Sequence, residues 1–273
     1  MRYVSTRGLA PSLDFVEVML AGLARDGGLY VPEAWPRLAA ADIAAFAGKP
    51  YAEVAAEVIR PFAGAAMPHA DLLRLARAAY GTFRHPAVVP LAQIDANLFV
   101  AELFHGPTLA FKDLAMQLVA RMMDDVLRAR GERTTIVVAT SGDTGGAAVE
   151  AFRGREQVDV VVLFPHNRVS DVQRLMMTTA QDSNVHAIAV EGTFDDCQAL
   201  VKALFNHHAF RDRVKLSGVN SINWARIVAQ VVYYFTSAVA LGAPHRKLAF
   251  TVPTGNFGDV FAGYVAEIGR AHV

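Results

Sequence analysis

Lys112 stands in Phe111-Lys112-Asp113, directly after the turn His105-Gly106-Pro107-Thr108. Ala115, Leu118, Val119 and Met122 follow at i, i+3, i+4 and i+7, so the lysine sits at the mouth of a helix. The positive end of a helix dipole disfavours a second cation. It suits an amine whose work is to attack carbonyls. Three further loops have the composition of ligand-binding turns. TSGDTGG (Thr140 to Gly146) offers close backbone approach, a helix N-terminus, and side-chain hydrogen bonds from Ser141, Asp143 and Thr144 around Gly142. Asp143 is out of place in a simple anion site unless its carboxylate is paired or turned away. PTGNFGD (Pro253 to Asp259) brackets Asn256 and Phe257 between Gly255 and Gly258, so that N–H groups could converge on phosphate oxygens. No lysine follows the glycine and the G-x-G-x-x-G spacing is absent, which excludes a Walker loop and a dinucleotide fingerprint. VNSINWARI (Val219 to Ile227) groups Asn220, Ser221, Asn223 and Arg226 at the start of an apolar helix. These groups could hold a second oxyanion. A plain helix cap by Ser221 or Asn223, with Arg226 solvated, is the other reading.

The elements that must position these groups change character near His85-Pro86. Before it the chain reads as mainly helical. Ser12 caps a helix with Val16, Met19, Leu20 and Leu23 on one face, ended by Asp26-Gly27-Gly28. Tyr51 to Val58 marks a second helix closed by Pro61, and Leu72 to Ala79 a third stopped by Gly81. No catalytic constellation is visible there, and residues 1–85 read as a packing domain. After it, apolar runs alternate with helical patterns: NLFVAEL (Asn97 to Leu103), TTIVVAT (Thr134 to Thr140), VDVVVLF (Val158 to Phe164), VHAIAV (Val185 to Val190) and KLAFTVP (Lys247 to Pro253). Several are apolar on both faces, as buried parallel strands are. The expectation for 86–273 is an α/β domain of βαβ units, with ligands at the carboxyl ends of strands.

Bulk properties narrow the classes. Lys plus Arg equals Asp plus Glu at 26 each among 273 residues, so no charge imbalance points to nucleic acid or an anionic membrane. The single cysteine, Cys197, excludes an intramolecular disulfide and suggests a reducing compartment. No cysteine–histidine spacing suits a metal. The N-terminus lacks an apolar leader and no run nears eighteen apolar residues. A cytoplasmic protein acting on a small molecule is expected, as monomer or homodimer. His105, His207-His208 and the Met122-Met123 and Met176-Met177 pairs read as turn, solvated and core residues.

A lysine poised at a helix mouth, a phosphate cradle and a second anion loop together suggest a phosphorylated carbonyl cofactor, and pyridoxal 5'-phosphate fits. ELFHGPTLAFKDLAMQ, TSGDTGG, VNSINWARI and PTGNFGD, in this order, resemble the threonine synthase family of bacterial and fungal type. YVSTRG and DGGLYVPE are similar to that family's N-terminal segment, and the resemblance runs to about Glu267. It implies fold type II of the pyridoxal-phosphate enzymes (tryptophan synthase β-like), with parallel sheets and flanking helices after the helical N-terminal domain. It implies conversion of O-phospho-L-homoserine and water to L-threonine and phosphate. Lys112 would form the Schiff base and move the Cα proton. Gly255, Asn256, Phe257, Gly258 and Asp259 would hold the cofactor phosphate, with Phe111 near the cofactor. Ser141, Gly142, Asp143 and Thr144 would lie over the substrate carboxylate and the cofactor. Asn220, Ser221 and Arg226 would take the substrate phosphate. Alternatives are a related lyase on another hydroxy- or phospho-amino acid, and a non-catalytic binder of a phosphorylated metabolite.

Family members are longer, and the resemblance breaks at Ile268. The partner of the pyridine nitrogen and the last strands of the catalytic part have no counterpart here. Ile268 to Val273 reads like a translated sequencing adapter, which suggests a truncated gene model, with natural divergence as the alternative.

Overall fold

The computed structural model describes residues 1–269. Residues 270–273 of the tail singled out above lie outside the described residues.

Strand β1 (Tyr3–Ser5) pairs antiparallel with β2 (Tyr30–Pro32), and α1 (Phe15–Ala21) lies between them in sequence. The cap of α1 is Asp14, which accepts from the Glu17 N–H at 2.9 Å, not Ser12. The helix ends at Ala21, ahead of the Asp26-Gly27-Gly28 turn. Helices α2 (Ala40–Ala44), α3 (Tyr51–Ala63) and α4 (His69–Tyr80) complete the N-terminal part. Pro61 lies inside the last turn of α3, where its missing N–H removes a single bond near the helix end.

NLFVAEL is not a strand of the main sheet. Strands β3 (Leu91–Asp95) and β4 (Leu98–Ala101) form an antiparallel hairpin. The turn Asp95-Ala96-Asn97 returns the chain on itself, with Asp95 Oδ1 accepting from the Ala96 N–H at 2.7 Å. Beyond the hairpin come α5 (Asp113–Arg130), β5 (Thr134–Ala139), α6 (Asp143–Phe152), β6 (Val158–Pro165), α7 (Asp171–Thr178) and β7 (Val185–Val190). Then follow α8 (Phe194–Asn206), α9 (His208–Arg213), β8 (Leu216–Ser217), α10 (Trp224–Ala240) and α11 (Gly258–Ile268).

The sheet runs β7-β6-β5-β8 and every pairing is parallel. Strands β5 and β6 are covered on both faces, as their unalternating runs require. Ile136 and Val138 of β5 join the core with α5, α6 and α10, whereas Val137 and Ala139 join Val201 and Phe205 of α8 on the opposite face. Lys247–Pro253 is irregular, with Phe250 46 % exposed against the Tyr234 ring. Such a run becomes a strand only against a neighbouring backbone, and among the described residues none pairs with it.

From β5 the chain steps outward to β6 and β7, then returns to place β8 on β5's other side. The strand order therefore reverses between β5 and β8, and the crevice outside their carboxyl ends is where a ligand fits. The loops there are tightly held. Thr140 Oγ1 accepts from the Gly142 and Gly145 N–H groups, each at 2.9 Å. Gly142 has φ +145°, and a Cβ there would lie 2.2 Å from the Gln173 amide carbon. Asn220 Nδ2 donates to the Ala139 carbonyl at 3.1 Å, joining the β8 loop to β5. Asn223, fully buried, caps α10 by accepting from the Ala225 N–H and donates to the Met19 and Gly218 carbonyls, both at 2.9 Å. The N-terminal part thus fixes the start of α10.

Asn223→Ala removes the cap and strands two buried carbonyls, so it should lower unfolding free energy by about 2–4 kcal/mol in urea titration. Asn223→Asp, which keeps the acceptor but loses both donations, should be no better. Gly142→Ala should cost about 1–3 kcal/mol by the same measurement. Adding Gln173→Ala should recover only part of that, because the backbone conformation stays strained.

Candidate active site

The crevice holds a cavity of about 470 Å³. Four helix starts face it: Phe111 and Lys112 before α5, Ser141 and Thr144 at α6, Asn220, Ser221 and Arg226 at α10, and Gly255, Asn256 and Asp259 at α11. Partial positive charge from several helix N-termini favours an anionic occupant.

Lys112 is the N-cap of α5. Its Nζ lies 3.4 Å from Asp143 Oδ2 and 4.2 Å from the Phe111 ring centroid. A carboxylate and an aromatic face therefore act on the amine together with the helix dipole. The next residue, Asp113, is fully buried and accepts from the Thr108 N–H at 2.8 Å and the Thr108 hydroxyl at 2.7 Å. Burial pushes the Asp113 carboxyl above its ordinary range, and the Thr108 bonds oppose that shift. The Gly106–Thr108 turn is thereby folded against the helix that carries Lys112. His105 lies outside the cavity and bonds Glu102 at 2.8 Å.

Asp143 does not line the cavity but is paired, as an anion-accepting loop requires. Its Oδ1 accepts from Gln173 Nε2 at 2.7 Å, its Oδ2 faces Lys112, and it is the first residue of α6.

Arg226 is 3 % exposed, so the reading of a solvated arginine does not hold. Its Nη1 donates to the Val219 carbonyl at 3.0 Å, while its Nε is buried without a partner among the described residues. Burial pushes the guanidinium down to about 10, opposed by Tyr233 and Asp259. Asp259 accepts from the hydroxyls of Tyr233 and Tyr234, which anchors the first turn of α11. Gly258 is pressed onto the α10 loop: a Cβ there would lie 2.8 Å from Ser221 Cβ. The two loops expected to hold two separate phosphates are therefore in contact. Phe257 is 74 % exposed and, like Gly142 and Gly258, does not line the cavity.

Sequence reasoning missed the wall formed by α8. Phe194, Gln198, Val201 and Lys202 line the cavity from the other face of the sheet. Their i, i+4, i+7, i+8 spacing was readable, but the face it would meet was not. Gln173, the partner of Asp143, was also missed. Among the described residues no helix is long and apolar enough to cross a membrane, and no group of side chains could hold a metal ion.

A sequence profile described as the threonine synthase N terminus matches residues 2–80, and one described as pyridoxal-phosphate dependent enzyme matches residues 83–268. The chain is 58 % identical to a threonine synthase from Pseudomonas aeruginosa over 98 % of its own length and 57 % of the relative's. It superposes with TM-score 0.92 and 65 % identity on a pyridoxal-phosphate-bound threonine synthase from Brucella melitensis, covering 98 % of this chain and 58 % of that one. A threonine synthase from Escherichia coli gives TM-score 0.90 at 34 % identity, covering 98 % and 61 %. The chain thus spans somewhat more than half the length of these relatives. With residues 83–268 matched by that one profile, the chain belongs to the pyridoxal-phosphate dependent enzymes, and it carries the N-terminal segment described for threonine synthases.

Proposed function

We propose that the protein catalyses the threonine synthase reaction, converting O-phospho-L-homoserine and water to L-threonine and phosphate in the cytoplasm, with pyridoxal 5'-phosphate as cofactor. The observation that carries the proposal is a lysine amine, a glycine loop and a buried arginine facing one cavity at the strand-order reversal. The likeness to threonine synthases over nearly the whole chain supports the same reading. The site fits the cofactor by its own features. Lys112 has a long ion pair at 3.4 Å, and the space where a Gly255 Cβ would lie is open. The unpartnered Arg226 Nε marks an anion-binding wall.

When bound, the pyridine ring supplies an electron sink for charge developing on carbon. The rest falls to the chain. Lys112 would hold the cofactor at its aldehyde group, and its amine, when displaced there by the substrate's own amine, would hold the proton from the substrate Cα. Phe111 lies against that amine and restricts its swing. Asp143, held by Gln173, orients it. Ser141 and Thr144, on a loop that Thr140 Oγ1 holds through the Gly142 and Gly145 N–H groups, would orient the substrate carboxylate at the N-terminus of α6. Gly255, Asn256, Gly258 and the first turn of α11, braced by Asp259, would grip the cofactor phosphate. Asn220 joins this polar wall.

Purified protein mixed with pyridoxal phosphate should show a near-visible absorption band, and borohydride reduction with peptide mapping should place the adduct on Lys112. Lys112→Ala should abolish the band and reduce phosphate release from O-phospho-L-homoserine by about a thousandfold. An adduct elsewhere, or a variant that keeps the band, overturns the lysine assignment. Faster turnover of O-phosphoserine than of O-phospho-L-homoserine overturns the substrate.

A further inference from the structure

The Lys112 amine faces the Asp143 carboxylate across 3.4 Å. How strongly that carboxylate holds a proton on the amine depends on what else the carboxylate binds. Its other oxygen, Oδ1, accepts from Gln173 Nε2 at 2.7 Å. Gln173 lies in the first turn of α7, whose cap is Ser170. The Ser170 hydroxyl donates to Gln173 Oε1 at 2.9 Å, and the Ser170 N–H points at the same oxygen from 3.4 Å. The hydroxyl also accepts from the Gln173 backbone N–H at 3.3 Å. Both donors of Ser170 thus take the carbonyl end of the Gln173 amide, which leaves its NH2 end for Asp143. A donor at that distance favours the ionised carboxylate.

Packing holds α7 where this contact needs it. Gly142, Gly145 and Gly146, at the start of α6, meet Gln173, Met177 and Met176 of α7. A Cβ on Gly142 would lie 2.2 Å from Gln173 Cδ, one on Gly145 2.4 Å from Met177 Sδ, and one on Gly146 3.4 Å from Met176 Cβ. The three glycines stand at i, i+3 and i+4, and so do their three partners. In the sequence these glycines read as open backbone for a ligand. In the fold they let α7 lie close against α6, and α7 brings an amide to the carboxylate beside the lysine.

We propose that Gln173, fixed by Ser170, is a positioning residue that acts on the Lys112 amine through Asp143. That Lys112 is the reacting amine rests on the function proposed above. The Gln173 amide draws off part of the Asp143 charge and adds none of its own. Asp143 stays an anion within reach of Lys112, and the amine meets a weakened carboxylate rather than a full one. A cation in place of Gln173 would compete with Lys112 for Asp143. A carboxylate there would add a second negative charge and hold the proton on the amine. A neutral donor does neither.

Competitive acetylation of the cofactor-free protein, with peptide mapping, reads the amine directly, with Lys49 of the N-terminal part as internal reference. Gln173→Met keeps the length of the side chain and removes the donor. It should lower the acetylation rate of Lys112 near pH 7 about threefold relative to Lys49. Gln173→Glu keeps the shape and the bonds from Ser170 but adds a charge, and should lower the rate about tenfold. Both losses should fade as the pH rises and the amine loses its proton in every variant. Ser170→Ala, which frees the amide to turn, should give a smaller loss in the same direction. In an Asp143→Asn background Gln173→Met should change nothing at Lys112. A packing role alone gives the opposite order, with Gln173→Glu close to wild type, and that order overturns the proposal. So does a Gln173→Met effect that persists beside Asp143→Asn. If Gln173→Met does not fold, Gln173→Glu and Ser170→Ala carry the same test. If acetylation follows the expected order but pyridoxal phosphate forms no adduct on Lys112, the positioning role stands and the cofactor reading falls.

Discussion

A parallel sheet cannot be built from hairpins. Each return to the same edge needs a crossover, and the crossover helix starts beside the carboxyl end of the strand before it. Everything at the cavity follows from that constraint. Helix α6 begins beyond β5 and α10 beyond β8, at the two strands between which the order reverses. Their N-termini therefore open onto the same crevice. Helices α5 and α11 add their own starts from outside the sheet. The result is a space faced by four helix N-termini, whose dipoles set a positive field before any charged side chain is counted.

The side chains then sort that positive field. Carboxylates near the cavity are held by neighbours so that they do not compete with an anionic ligand. Asp259 is taken by two tyrosine hydroxyls, and Asp113 by Thr108. The cations differ in setting: Arg226 buried, Lys112 partly buried beside a carboxylate, Lys202 exposed. Burial fixes a charge in position but slows exchange of whatever it binds. Exposure does the reverse.

Much of this was legible because local chemistry is local in sequence. The turn before Lys112, the glycine loop after Thr140 and the polar start of α10 each announce a helix N-terminus through residues within a few positions of one another. Asn223 was recognisable as a cap for the same reason. What was hidden depends on distant chain. NLFVAEL and KLAFTVP have strand composition, yet the first closes a hairpin and the second meets no partner strand among the described residues. Composition states a preference for extended backbone but not which edge will receive it. Lys202 and Gln173 were invisible for a related reason: an amphipathic helix shows which residues share a face, and only the tertiary fold decides what that face meets.

Asp143 joins these strands of the argument. A carboxylate in an anion-binding loop looks like an error when only the loop is read. In the fold it is the first residue at the positive end of α6, receives the Gln173 amide, and stands 3.4 Å from the Lys112 amine. Two of those three partners are neutral groups, and they would remain if the lysine engaged a carbonyl carbon. The carboxylate therefore keeps its place without the lysine, while the lysine is released from nothing stronger than one long, partly exposed ion pair. The amine has a defined resting position and a low barrier to leaving it. Under the proposed function the lysine would alternate between covalent attachment and proton transfer and would need both, and a fully buried, short salt bridge at the same place would supply only the first.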